Sequence, residues 1–361
     1  MVVVLALTAV ALLLSVWIVV PTWTPLALVA AVVAIEWSPY LFVLNVVLLL
    51  AALRTPDNAY RPLAITLAVV AACLTAWPSV ALCVLQARSA RSAVAALIHP
   101  SRTASVREFE MRMTADGPLA PIRAYLPAGA SPPPIVFSLY GGAWRHGTPG
   151  KDAGLDRALA RHGYAVFALD YRHAPAFRFP QALHDIEAQM SFVVKKASSL
   201  GIDAARVAII GHSSGGQLGL LAAYASGSQV RAVVSYSGPI DLARSYRDPP
   251  RPDPLDVRSI LRDYLGGSPD EGAGLYAAAS PISDVRGGLP ATLLIYGARD
   301  HIVDVRGARA LRSALLAQHD SVEYCELPWA DHAFEEVPFG LHSLVAFDAL
   351  EDFLAKTLRK Q

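Results

Sequence analysis

Val207-Ala208-Ile209-Ile210-Gly211-His212-Ser213-Ser214-Gly215-Gly216-Gln217-Leu218 is the stretch on which the fold turns. Its first four residues are apolar and read as a buried strand. A Gly-x-Ser-x-Gly follows, and Gly215–Ala225 then reads as an apolar helix. In a strand–turn–helix setting this pattern lifts a serine hydroxyl above the end of a sheet. Small residues two before and two after Ser213 let the backbone turn without clashes. The helix N-terminus beneath favours developing negative charge. The competing reading is a helix-capping serine in a glycine-rich turn, and the strand-to-helix context favours the nucleophile.

Outward from this stretch, short β-like runs alternate with helical ones. Strands are expected at Val106–Met113, Ile122–Leu126, Ile135–Leu139, Ala165–Asp170, Val207–Ile210, Ala232–Ser235, Thr292–Tyr296 and Val322–Leu327. Helices are expected at Lys151–Arg161, Gln181–Ser199, Gly215–Ala225, Val303–Leu316 and Ser343–Leu358. Strands rich in Val, Ile, Leu and Ala without strict alternation imply burial on both faces. The fold class is therefore α/β, a mostly parallel sheet with helices on both faces. The first two strands lie close enough in sequence to form an antiparallel edge. Residues 237–279, rich in Asp, Arg, Pro and Gly, interrupt the rhythm and are a candidate lid insertion; a solvated excursion without a role is the alternative.

A serine hydroxyl needs a base, and in this architecture the partners follow in the order Ser, acid, His. His332, in Trp329-Ala330-Asp331-His332-Ala333-Phe334 just after the last strand, stands where the base belongs. His301 comes too early in the chain, and His319 and His342 read as surface residues. Asp300 lies just past the C-terminal end of Thr292–Tyr296, the edge where active residues of open α/β sheets collect. Asp304 and Asp331 are rivals, Asp304 with a helix cap as its ordinary role. Oxyanion donors are expected from the backbone of Ser214 and of Gly141, Gly142 and Ala143, in the glycine turn after Ile135–Leu139.

Together, Tyr140-Gly141-Gly142-Ala143-Trp144, Asp170-Tyr171-Arg172, Gly211 to Gly216, Gly297 to Asp300 and His332-Ala333-Phe334 resemble the α/β-hydrolase superfamily. The resemblance is to hormone-sensitive-lipase-like esterases and their carboxylesterase, feruloyl-esterase-like and kynurenine-formamidase relatives. It covers about residues 105 to 358. It implies a carboxylesterase or lipase-like serine hydrolase with a Ser-His-Asp triad, acting on small-molecule esters and needing no cofactor or metal. It also implies a structural role for Asp170 and Arg172. The chain departs from the family at Tyr140, where a histidine is usual.

The N-terminal part has a different composition. Up to about Leu85 only Glu36, Arg54, Asp57 and Arg61 are charged, whereas the whole chain is 54% hydrophobic and 17% charged. Apolar runs at about 2–20, 26–53 and 63–85 predict some three transmembrane helices in a region 1–87, followed by a linker 88–104 and a catalytic domain 105–361. A signal peptide is the alternative for the first run. Glu36 has two readings: a functional ionisable group inside a span, or the mark of a break near Pro39. The arginines at 54, 61, 88, 91, 102 and 107 favour a cytoplasmic catalytic domain. The membrane-anchored arrangement resembles isoprenylcysteine methylesterases by architecture.

The expectation is thus a multi-pass, membrane-anchored serine esterase with small-molecule ester substrates, lipophilic ones among them, and a lipid bilayer as partner. Net charge is +1 without a basic stripe, which speaks against nucleic acid. Cys73, Cys83 and Cys325 form neither a disulfide framework nor a metal motif. An acyltransferase or an amidase of the formamidase kind uses the same triad. A catalytically idle receptor or scaffold is the alternative of another class.

Overall fold

The computed structural model describes residues 2–85, 105–114, 117–129 and 131–358. The predicted linker 88–104, and with it Arg88, Arg91 and Arg102, lies outside the described residues. Eight strands form one sheet: β1 (Val106–Met111), β2 (Ile122–Pro127), β3 (Pro134–Leu139), β4 (Ala165–Leu169), β5 (Asp203–His212), β6 (Ala232–Tyr236), β7 (Ala291–Gly297) and β8 (Val322–Leu327). Their order is β1-β2-β4-β3-β5-β6-β7-β8. From β4 to β8 every pairing is parallel, while β2 runs antiparallel to both β1 and β4. The expected antiparallel edge is present. The central strands β3 and β4 are buried at every position, as expected of a sheet covered on both faces.

The helices are α1 (Val2–Ser15), α2 (Pro25–Glu36), α3 (Ser38–Arg54), α4 (Arg61–Leu85), α5 (Ala153–Arg161), α6 (Gln181–Lys195), α7 (Ala197–Leu200), α8 (Ser214–Tyr224), α9 (Leu242–Arg247), α10 (Val257–Leu265), α11 (Ala273–Ala278), α12 (Val305–Ala317) and α13 (Leu341–Leu358). Two apolar clusters sandwich the sheet. One gathers side chains of α6 and α8 beneath Phe137, Phe167 and Ile209. The other gathers α5 and α13 against Val136, Val166 and Ile210. Neighbouring residues of one strand thus feed opposite layers, because side chains alternate along a strand.

Residues 237–279 hold α9, α10 and α11, so this excursion is folded. Its Tyr264 is buried and stacks on Trp144, ring centroids 4.1 Å apart.

The N-terminal region departs from the expected three spans. Among the described residues only Arg61–Val84 is by itself long and apolar enough to cross a membrane. The run 26–53 is broken at Trp37 into α2 and α3, bent by 71°, and Val2–Ile18 is a shorter apolar helix. Pro39, next to the break, explains it: a proline near a helix start is tolerated, whereas one in mid-helix removes a hydrogen bond and clashes. Helices α1, α3 and α4 pack together. At their shared centre Asn45 Nδ2 donates to Ser15 Oγ (3.2 Å) and Thr75 Oγ1 (3.4 Å), all three residues buried.

Glu36, the last residue of α2, is fully buried and reaches the other end of the chain. Its carboxylate accepts hydrogen bonds from the backbone N–H of His342 (2.8 Å) and Ser343 (3.3 Å), and its other oxygen lies 2.6 Å from His342 Nδ1. These two amides belong to the first turn of α13, where backbone donors lack intrahelical partners. Glu36 thus caps a helix distant in sequence and sits at a break. His342, expected on the surface, is fully buried against it.

Candidate active site

The catalytic candidates come from separate loops at the C-terminal edge of the parallel strands. Ser213 follows β5 directly, Asp300 follows β7, and His332 follows β8. Ser213 adopts φ 49° and ψ −118° and donates its N–H to the Tyr236 carbonyl (2.7 Å). Such a conformation in a residue with a side chain costs about 1–3 kcal/mol and persists only where its surroundings enforce it. The flanking glycines are part of that enforcement. A Cβ on Gly211 would lie 2.2 Å from the Gly215 carbonyl oxygen, and one on Gly215 would lie 2.3 Å from that of Leu139.

Ser213 Oγ lies 2.9 Å from His332 Nε2, and His332 Nδ1 lies 2.9 Å from Asp300 Oδ2. The other Asp300 oxygen accepts the N–H groups of Ile302 (2.9 Å) and Val303 (2.8 Å), which fixes the carboxylate. The rival carboxylates are engaged elsewhere. Asp304 caps α12 by accepting from Arg306 N (2.9 Å). Asp331 accepts from the backbone of His301 (2.9 Å) and His332 (2.7 Å) and lies 2.5 Å from His301 Nδ1. His319 is exposed.

Burial alone would depress the basicity of His332. The charge and hydrogen bond of Asp300 outweigh it and, with Glu335 and Asp331 adding, raise the imidazole from 6.5 to about 9. Behind Ser213, His212 Nδ1 is 3.1 Å from Glu335 Oε1, and the His212 ring stacks on Tyr236. This buried pair ties the strand before Ser213 to the turn after His332.

Of the expected oxyanion residues, Gly141, Gly142 and Ala143 line the same cavity as Ser213 and His332. Ser214 opens α8, so its N–H is one of the donors a helix leaves without an internal partner. Gly142 differs: its N–H donates to Ser214 Oγ (3.0 Å). Ala143 and Trp144 hold left-handed backbones, φ 53° and 58°. The turn is clamped by Trp144, whose Nε1 donates to Gln217 Oε1 (3.0 Å).

Tyr140, the departure from the family pattern, is buried. Its hydroxyl donates to Asp170 Oδ1 (2.7 Å) and lies 3.0 Å from His173 Nε2, while its ring stacks on Tyr171. The second Asp170 oxygen accepts Ala120 N (2.6 Å), and Arg172 forms a two-pronged pair with Asp185. Asp170 and Arg172 thus hold loops, as the resemblance implies.

The cavity above Ser213 has a volume of about 350 Å³. Pro25, Leu28, Val29, Val32 and Val33 of α2 form one stretch of its lining, and Leu255 of the insertion another; His146, Lys151 and Glu336 add polar groups. Sequence reasoning missed the contribution of α2, because nothing local in an apolar run says which face meets a distant loop. Among the described residues no cluster of three His, Cys, Asp or Glu side chains offers a metal site.

The BD-FAE family model matches residues 122–315. A probable carboxylic ester hydrolase of Mycobacterium tuberculosis, LipM, is 29% identical over 63% of this chain and 55% of its own. Esterase LipC of the same organism is 31% identical over 56% of this chain and 54% of its own. The chain therefore spans about half the length of these curated relatives. Among solved structures, esterase LipW of Mycobacterium marinum superposes with a TM-score of 0.60 at 28% identity, covering 76% of this chain and 87% of that one.

Proposed function

Because this chain belongs to the BD-FAE family and has the α/β-hydrolase fold, we propose that it hydrolyses carboxylic esters by a Ser213-His332-Asp300 triad. The observation that carries the proposal is the unbroken hydrogen-bonded relay from Ser213 Oγ through His332 to Asp300, each link 2.9 Å, opening into a cavity. Ester hydrolysis is also the activity named for the relatives.

In the first half-reaction Ser213 Oγ attacks the ester carbonyl carbon and His332 Nε2 takes its proton. Asp300 keeps the imidazole in the tautomer with Nε2 free and stabilises the imidazolium. The carbonyl oxygen becomes an oxyanion, for which the N–H groups of Ser214 and Ala143 are the donors we assign. The Gly142 amide joins them if Ser214 Oγ swings aside. The intermediate collapses, the C–O bond to the alcohol breaks, and His332 returns its proton to the leaving alkoxide. In the second half-reaction water attacks the acyl-enzyme, its proton passing to His332 and on to Ser213, and the carboxylic acid leaves.

Our reading of the whole chain is a membrane-attached enzyme, with a membrane region at 1–87 and a catalytic unit at 105–361. Attachment rests on α4, with α1 and the bent α2–α3 pair beside it. The buried Ser15–Asn45–Thr75 contact supports this, since polar side chains meeting between apolar helices are a usual adhesive in lipid. The arginines flanking the apolar runs favour a cytoplasmic catalytic unit.

The test is labelling of the purified protein with a fluorophosphonate probe, comparing wild type with Ser213→Ala and His332→Ala. Labelling of the wild type alone is expected, together with turnover of p-nitrophenyl esters. A folded wild type that neither labels nor turns over would refute the triad and favour an idle scaffold.

A further inference from the structure

The established fold needs nothing N-terminal to β1 to build the triad, yet α2 supplies a wall of the cavity. This helix is fixed at both ends. At its C-terminal end Glu36 docks on His342 and Ser343, Trp37 Nε1 donates to the Pro338 carbonyl (3.1 Å), and Tyr40 Oη donates to that of Phe339 (3.2 Å). The fit is close: a Cβ on Gly340 would lie 2.5 Å from a Glu36 carboxylate oxygen. Ahead of its N-terminal end, Arg299 Nη1 donates to the Ile18 carbonyl (2.7 Å), with its guanidinium over the Trp329 ring. Arg299 is the immediate neighbour of Asp300, so this anchor adjoins the triad.

The exposed residues around α2 have an interfacial composition. Trp23 precedes it at 71% exposure, and Trp37 and Tyr40 follow it, both exposed, as is Phe339 in the loop they hold. Aromatic side chains with one polar handle concentrate at the membrane–water boundary. On α2 itself Leu26 and Val29 are exposed, while Leu28 and Val32 are buried against the catalytic core. The 71° bend at Trp37 then turns the chain into α3, which carries exposed Val43, Val47 and Leu50. Aromatics at both ends of α2 and a steep bend into an apolar continuation set α2 at the level of the membrane–water boundary. The cavity floor holds Ser213, so the cavity would open where lipid meets water.

We propose that α2 is the acyl-binding wall of the site, and that the substrate is an amphiphilic ester with an aliphatic acyl chain, taken up from the membrane. This rests on the esterase function proposed above. The acyl chain lies along Leu28, Val29, Val32 and Val33. The more polar alcohol part meets His146, Lys151 and Glu336. An ester resident in the membrane then reaches Ser213 without its chain being exposed to bulk water.

The experiment uses the full chain in phosphatidylcholine vesicles and a series of p-nitrophenyl esters from acetate to dodecanoate. Wild type is expected to gain about fourfold in kcat/KM for each of the first added methylenes, the ratio that one buried methylene yields. Val29→Trp, which fills the cavity at an exposed position, is expected to reduce the dodecanoate-to-acetate ratio by about tenfold or more. Val29→Ser is expected to lower it by a smaller factor, and it decides the matter if the tryptophan variant does not fold. Fluorophosphonate labelling runs alongside. A labelling-competent wild type with a flat or falling chain-length profile overturns the acyl wall alone, as does a ratio unmoved in both variants. A wild type that does not label overturns the esterase function and the acyl wall together.

Discussion

Replacing Glu36 by alanine separates the two ends of the chain, and the structure sets the size of the effect. The carboxylate makes two short contacts, to His342 N at 2.8 Å and His342 Nδ1 at 2.6 Å, and a longer one to Ser343 N at 3.3 Å. Hydrogen bonds to a charged group contribute about 1.5–3 kcal/mol each, so the two short ones together account for roughly 3–6 kcal/mol. The third, near the limit of hydrogen-bond length, adds little. Alanine would also leave buried donors unsatisfied, because both Glu36 and His342 are fully buried. Unpaired buried donors take the expected loss towards the upper half of that range. Glutamine keeps one acceptor oxygen and is expected to lose about half as much. At about 2–4 °C per kcal/mol for a domain of this size, Glu36→Ala should lower the Tm by roughly 10–20 °C and Glu36→Gln by half of that. The assay is thermal unfolding of the detergent-solubilised full chain, followed by near-UV circular dichroism. A Tm within about 2 °C of wild type for Glu36→Ala would refute the docking, since that corresponds to 1 kcal/mol or less.

Two further outcomes follow from the site. As the proposed base, His332 accepts a proton only when neutral, and Asp300 with its acidic neighbours raises it from 6.5 to about 9. The kcat/KM of a soluble short-chain ester should therefore rise with pH through an apparent pKa above 6.5, and a profile already flat at neutral pH would contradict this. Tyr140→Phe removes the buried hydroxyl that satisfies Asp170 and is expected to cost about 1–3 kcal/mol. The same substitution loosens the turn carrying Ala143, so kcat should fall more than KM changes; steady-state kinetics and a melting curve on one preparation check both.

Much of the fold was legible because its signals are local. The strands around Phe137 and Ile209 each contain the apolar run that predicted them, the second extending beyond it at both ends to Asp203–His212. The candidate triad could be read because chain order and strand ends restrict the choices to a few residues, and the geometry assembles Ser213, Asp300 and His332 into one relay. What was not legible depends on contacts between distant positions. Glu36 and Pro39 marked the break in the apolar run from Leu26 to Leu53, but nothing local in the run set its 71° angle. His342 looked like a surface residue because its partner is 306 positions away. The Gly142 amide looked like an oxyanion donor, and only the fold reveals that Ser214 Oγ occupies it. In the insertion 237–279 the polar, proline-rich composition masked α9 and α11, which are short and packed by Tyr246 and Tyr276.

The cap that Glu36 places on α13 also has a consequence in time. Glu36 leaves the ribosome long before His342, because the two are separated by 306 residues. At about 5–20 residues per second, on the order of 15–60 s pass between them. During that interval the sheet on which Leu28 and Val32 of α2 pack, and the loops bearing Ser213 and Asp300, are being made. The Glu36 contact at the C-terminal end of α2 is therefore made only when α13 arrives. Fixing of the α2 wall is thus coupled to synthesis of α13, and a product stalled before Leu341 would carry Ser213 without the Glu36 contact that holds the end of α2.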